Sequence, residues 1–170
     1  NIYDENSDTK LIEVEKMEDF KSMGDIRKRD FKYDGGFKIE QITNTSGQKM
    51  SYFINKTMLR IDLEKPLMPH TSITFQVKWW YNINDRMQVG GRSGYEYFEK
   101  DQNYLYTIAQ FFPRMCVYND VTGWQNKQFL GRGEFTLPFG DYEVNITVPA
   151  DHVVAATGEC QNYGSILSVD

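Results

Sequence analysis

Residues 73–83 constrain this chain more than any other stretch. Ile73, Phe75, Val77, Trp79, Tyr81 and Ile83 alternate with Thr74, Gln76, Lys78, Trp80 and Asn82. A period of two puts successive side chains on opposite faces of an extended backbone, so the run reads as a strand with one apolar face. A helix would scatter the same residues around its circumference. The apolar face needs a covering layer, and the rest of the chain offers more strands for it. Phe37–Glu40 begins an alternating strand that Asn44-Thr45-Ser46-Gly47 closes as a turn. Ser51–Asn55 and Met58–Leu63 follow; in the second, Leu59, Ile61 and Leu63 share a face opposite Arg60 and Asp62. Tyr95–Phe98 and Tyr104–Ile108 form an aromatic pair joined through Glu99-Lys100-Asp101-Gln102-Asn103. Gln128–Leu137 and Tyr142–Val148 form a last pair turning at Phe139-Gly140-Asp141, and Val153–Thr157 adds a short strand.

Between these runs, Pro66 and Pro69, the polar Gly-rich stretch 84–94, and the segment holding Pro113, Asn119-Asp120 and Gly123 read as irregular connections. No helix longer than three turns is expected after residue 30. Many short strands at roughly ten-residue spacing predict an all-β fold with little helix, an antiparallel β sandwich ahead of a barrel. Residues 1–32 are different in character. Leu11–Val14 fits a short strand, and Met17, Phe20, Met23 and Ile26, three apart, fit a short helix; an edge strand or loop fits equally. They are assigned as an irregular or edge segment, with 33–170 as one β domain, the size expected for a chain of 170 residues. The chain opens on Asn with no leader pattern, so it is expected to be a piece of something longer.

The scarce residues restrict the chemistry. There are 2 His, His70 and His152, and 2 Cys, Cys116 and Cys160, each far from its twin. That excludes an H-E-x-x-H helix and any C-x-x-C metal or redox motif. No nucleophile elbow, P-loop or dinucleotide fingerprint is present. A net charge of −5 opposes binding to a phosphate backbone, and no apolar run approaches the ~18 residues of a membrane helix. The chain is therefore expected to hold no catalytic residue, metal or cofactor, and to meet neither nucleic acid nor a membrane through a spanning segment. Asn44, Asn55 and Asn145 each begin an N-x-S/T triplet, the acceptor pattern for glycosylation in secretory proteins.

The densest run of unusual residues lies between Tyr104 and Glu134 and includes Gln110, Phe111, Phe112, Arg114, Asp120 and Trp124. Aromatics interleaved with Arg, Gln and carboxylates suit a recognition surface, which needs rigid area and oriented polar groups. The same aromatics could fill a sandwich core. Arg114, set among apolar neighbours, could hold a carboxylate ligand, but an internal ion pair with Asp120 is the favoured reading. Trp79-Trp80 puts one indole on each face of its strand. Cys116 is read as a small buried hydrophobe with no nearby His to activate it.

The stretch from Tyr104 to Met115, YLYTIAQFFPRM, resembles a diagnostic segment of M1-family zinc metallopeptidases. So do Gly123-Trp124-Gln125, the run Gln128 to Phe135, Phe139-Gly140-Asp141-Tyr142, and Thr147-Val148-Pro149-Ala150-Asp151-His152 with Ala156-Thr157-Gly158. The likeness is to the N-terminal domain of the bacterial branch, over roughly residues 33–162 and most strongly from 84 onward. It implies a saddle-like, non-catalytic β sandwich packed on a thermolysin-like catalytic domain of the same protein, where the zinc and its H-E-x-x-H ligands would lie. It implies that a loop of the sandwich helps bind the free amine at the peptide N-terminus. Gln110 matches the family's amine-binding Gln, whereas the acceptor often found two positions later is replaced by Phe112, and the usual order of Arg and Phe-Pro is reversed at Phe112-Pro113-Arg114. Arg114, Asp120 and Trp124 are carried as weaker substrate-loop candidates. The resemblance also implies an exported, periplasmic or secreted bacterial protein. From the residues alone, a free-standing carbohydrate- or peptide-binding sandwich and, last, a lipocalin-like barrel remain the other readings.

Overall fold

A computed structural model describes residues 33–127 and 137–166. The expectations for residues 1–32, and for nearly all of the strand Gln128–Leu137, lie outside them. Among the described residues, eight strands and two four-residue helices make up the regular structure, all-β in character with little helix. The strands pair as four two-stranded antiparallel ladders.

The alternating run forms a strand, β4 (Phe75–Trp80), paired with β1 (Lys38–Asn44). Phe75, Val77 and Trp79 are half-buried while Gln76, Lys78 and Trp80 are exposed, so the apolar face lies where the period places it. The strand is shorter than its sequence pattern. Ile73 and Ile83 stay exposed because β1 supplies partners only from Phe75 to Trp80. An irregularity at Glu40 sets the register: Ile39 faces Trp79, and Ile42, three positions on, faces Val77. Residues three apart in a regular strand lie on opposite faces, and the extra residue at the bulge returns both isoleucines to the apolar side. Among the described residues Ile42 has the most deeply buried large side chain, 1% exposed. Glu40, displaced outward, meets Lys78 at 2.6 Å.

The turn after β1 forms as its residues require. Asn44 Oδ1 accepts from the amides of Ser46 (2.9 Å) and Gln48 (3.0 Å), the Asx geometry that lets this residue open a turn. The next hairpin is β2 (Tyr52–Asn55) and β3 (Met58–Ile61), turning through Lys56-Thr57 with Lys56 at φ 55°. Phe53 and Arg60 are cross-strand partners, and the guanidinium lies 5.9 Å from the ring centre. Cys116 is half-buried, its Sγ 3.9 Å from Met58 Sδ.

The stretch 84–94, expected as a loop, contains one helical turn, α1 (Arg86–Val89). Asp85 caps it, accepting from the amides of Met87 and Gln88, and Val89 is buried. Arg86 Nη1 then reaches Glu96 Oε1 at 2.6 Å. Glu96 belongs to β5 (Gly94–Phe98), which pairs with β6 (Asn103–Thr107) as the aromatic pattern predicts. Tyr95 faces Tyr106 and Tyr97 faces Tyr104, so four tyrosines share one face of this hairpin, with Tyr97 and Tyr104 rings 4.8 Å apart. Beyond them, the expected irregular segment holds a two-residue ladder of β7 (Tyr118–Asn119) and β8 (Gly123–Trp124).

The chain divides between Pro138 and Phe139. In the second part Tyr142–Val148 is not a strand, contrary to its alternating pattern, and neither is Val153–Thr157. A strand exists only by the ladder it makes with a neighbour, and among the described residues these segments make none. Tyr142, Val144, Ile146 and Val148 are exposed accordingly. A second short helix, α2 (Tyr163–Ile166), follows Cys160, which is exposed and free. No helix among the described residues is long and apolar enough to cross a membrane.

Candidate functional site

The site predicted from sequence lies in the segment that leaves β6. Its anchor is an aromatic cluster on the β1–β4 pair. Phe37 meets Trp79 edge-on at 5.4 Å and Tyr81 at 5.8 Å, and Trp79 stacks on Tyr81 at 6.1 Å. Tyr33 donates its hydroxyl to the Asn82 carbonyl, and Asn82 Nδ2 donates back to the Asp34 carbonyl at 3.0 Å, which closes the end of the cluster. Burial pushes the Tyr81 phenol above its ordinary value, because the phenolate would lose its water. Phe111 joins the cluster from the far end of the sequence, 6.5 Å from Trp79, and Phe112 lies edge-on to it at 5.2 Å.

Gln110 sits immediately before this anchor with φ 52°, in the left-handed region that side chains with a Cβ enter at a cost. It is exposed. The residue before it is held too: Ser93 Oγ donates to the Ala109 carbonyl and accepts from the Ala109 amide, both at 3.1 Å. Ser93 stands just ahead of β5 and Ala109 just beyond β6, so one hydroxyl continues the ladder where the backbone pairing has stopped. Gln110 is thus a corner fixed on both sides, with a neutral amide carrying one acceptor and two donors into solvent.

Arg114 is exposed and does not pair with Asp120; among the described residues no ion pair joins them, which corrects the expected salt bridge. Its guanidinium instead lies 5.2 Å from the centre of the Phe112 ring. A planar cation over an aromatic face is favourable without any carboxylate, and the adjacent Phe112 is nearer in the chain than Asp120. Asp120 occupies the tip of the β7–β8 turn, where Asn119 Oδ1 accepts from the amides of Val121 (3.1 Å) and Thr122 (2.8 Å). Trp124 packs edge-on against Tyr118 at 5.2 Å and remains exposed. Gln110 and Arg114 therefore share one corner through Phe111 and Phe112, whereas Asp120 and Trp124 belong to the small hairpin that follows. The roles of Ser93 and of the Trp79–Phe111 contact carry no sequence signal, since each joins residues far apart in the chain.

Among the described residues, no three His, Cys, Asp or Glu side chains gather as metal ligands. The zinc implied by the family likeness is not accommodated by these residues, and no chemistry through it is assigned to them. In the second part of the chain, His152 Nδ1 lies 2.7 Å from Asp151 Oδ1. That hydrogen bond first, then the Asp151 backbone amide and the charge on His152, hold the Asp151 carboxyl below its ordinary value. No protein-family model, curated protein or solved structure matches the chain.

Proposed function

We propose that this chain is the non-catalytic N-terminal β sandwich of a zinc aminopeptidase-like metallopeptidase of the M1 family, from an exported bacterial protein. On this reading it packs against the catalytic domain of the same protein and lines the substrate cleft, and the zinc belongs to that other domain. The observation that carries the reading is the Tyr104–Met115 segment. Its family-like residues run from β6 into a pinned corner whose exposed side chain is Gln110. An ammonium has three donors and binds where acceptors are held in place for it, and the Gln110 carbonyl can be one of them. The half-buried faces of the β1–β4 pair and the exposed apolar residues of β2, β5 and β6 suit a sandwich whose layers and partner domain cover them.

The test is made in the full-length protein. The coding sequence beyond Asp170 is expected to contain H-E-x-x-H, and the protein to hydrolyse aminoacyl p-nitroanilides in a chelator-sensitive, zinc-restored manner. A stop codon at that point, or zinc-dependent hydrolysis by residues 1–170 alone, overturns the reading. Gln110→Ala is expected to raise KM for these substrates about tenfold, the worth of a hydrogen bond to a charged group.

The tyrosine face of β5–β6 favours a second reading, a free-standing carbohydrate- or peptide-binding module. Tyr97, Tyr104 and Tyr106 are 49%, 56% and 41% exposed on one side of the hairpin, a platform on which a sugar ring could stack. Titration of residues 1–170 with a glycan panel separates the two: millimolar or tighter binding, lost in Tyr104→Ala, would favour the module.

A further inference from the structure

The corner at Gln110 poses a physical question that its exposure sharpens. A non-glycine residue at φ 52° persists only where its surroundings over-determine it, yet Gln110 itself is exposed. The constraint therefore acts through its two neighbours. Ala109 is held by both of its backbone polar groups on Ser93 Oγ, at 3.1 Å each, which fixes the peptide plane entering the corner. Phe111 is held in the aromatic cluster by Trp79 at 6.5 Å and braced by Phe112 at 5.2 Å, with the Arg114 guanidinium 5.2 Å from the Phe112 ring centre. One tie comes from the start of β5 and the other from β4. Two ties to different strands fix both the position of the Gln110 Cα and the direction of its Cα–Cβ bond.

We propose that Ser93 and Phe111 are positioning residues for Gln110: they fix its backbone corner and the direction in which its side chain leaves, so that its carbonyl meets the substrate ammonium at a lower ordering cost. The inference rests on the reading of Gln110 as an acceptor for that ammonium. A glutamine on a free loop would lose backbone as well as rotamer freedom on binding, and a corner held in advance has already lost the backbone part. Neither residue touches the ligand, and both act only through Gln110.

The test uses the full-length protein and two ligands that differ only in the amine, alanine hydroxamate and propionohydroxamate, with Kd measured by calorimetry. The wild type is expected to prefer the free-amine ligand by about tenfold or more, and Gln110→Ala to abolish that preference. Ser93→Ala and Phe111→Leu are each expected to reduce the preference about three- to tenfold while leaving the affinity for propionohydroxamate unchanged. Ser93→Thr, which keeps the hydroxyl, restores it. In a Gln110→Ala background neither substitution changes the preference further, because nothing remains to be positioned. If Gln110→Ala abolishes the preference but Ser93→Ala and Phe111→Leu leave it whole, the positioning inference is overturned and the amine reading stands. If Gln110→Ala leaves it whole, or the wild type has no preference, the amine reading falls and this inference with it. Should Phe111→Leu lose its cooperative thermal melt, Ser93→Ala with its Thr rescue decides alone.

Discussion

Gly94→Ala tests the junction on which the candidate site is built. Gly94 opens β5 at φ 145°, a backbone conformation essentially reserved for glycine, and forcing an alanine there costs about 1–3 kcal/mol. A Cβ at this position would lie 2.6 Å from the Asn84 carbonyl oxygen, 2.9 Å from Asn84 Nδ2 and 3.0 Å from Arg86 Cβ. The nearest of these is backbone and cannot rotate aside. The same carbonyl accepts from the Tyr95 amide at 2.8 Å, so its retreat weakens a hydrogen bond worth about 1 kcal/mol. The two contributions together make about 2–4 kcal/mol of destabilisation. Gly47→Ala is the control: φ is 78° but nothing lies within 4 Å of the added methyl, so only a backbone cost of about 1 kcal/mol applies. Urea unfolding followed by tryptophan fluorescence reads both, and with equal slopes the Gly94→Ala midpoint is expected to fall about 1 M further than the control. Equal midpoint shifts for the two variants would refute the steric argument, and with it the placement of Asn84 against β5.

Three further outcomes follow from the same structure. Because burial raises the Tyr81 phenol above its ordinary 10.0, the folded chain holds that proton more tightly; stability is intact below pH 10 and falls as pH rises past it. Tyr81→Phe is expected to flatten that alkaline loss, and an unchanged alkaline limb in denaturant titrations speaks against burial of the ring. The Asp151 carboxyl, held low by His152, contributes its contact fully above its ordinary 3.8 and loses it as pH falls through the lower folded value. In a carbon-detected NMR titration His152→Ala is expected to move the Asp151 midpoint up toward the ordinary value, the backbone hydrogen bond keeping it somewhat below; an unmoved midpoint contradicts the hydrogen bond to His152. Cys160 is exposed and Cys116 half-buried against Met58, so a thiol reagent is expected to label one cysteine fast and one slowly, with Cys160→Ser removing the fast phase.

The parts of the fold that were legible in the sequence are those a short window contains. The β2–β3 and β5–β6 hairpins each lie within one window, with turn residues between two β-rich runs, and both form in register. The apolar face of β4 follows from period two alone. The one-turn helix α1 escaped because four residues cannot show a 3.6-residue period, although Asp85 is the kind of residue that caps one. Tyr142–Val148 shows the opposite failure. Its alternation satisfies one half of the definition of a strand, and the hydrogen-bonding neighbour that supplies the other half is not encoded in the segment itself.

The candidate site divides along the same line. Gln110 and Arg114 lie in a run of aromatics interleaved with Arg and Gln, which residue type marks out as a cluster, and the resemblance to a family segment is what singles out Gln110 within it. Their arrangement depends on contacts between distant positions: Ser93 with Ala109, Trp79 with Phe111, Asn84 with Gly94. The same holds for the bulge at Glu40, which turns Ile39 and Ile42 to one face only because β4 runs beside them. By itself the sequence determined a β-rich chain, its hairpin turns and its apolar faces. Tertiary structure alone decided where β4 ends, that Arg114 stacks on Phe112 instead of pairing with Asp120, and that Gln110 stands at a left-handed corner. The physical reason is that propensity and periodicity are local, whereas burial, register and backbone strain are set by what another part of the chain brings alongside.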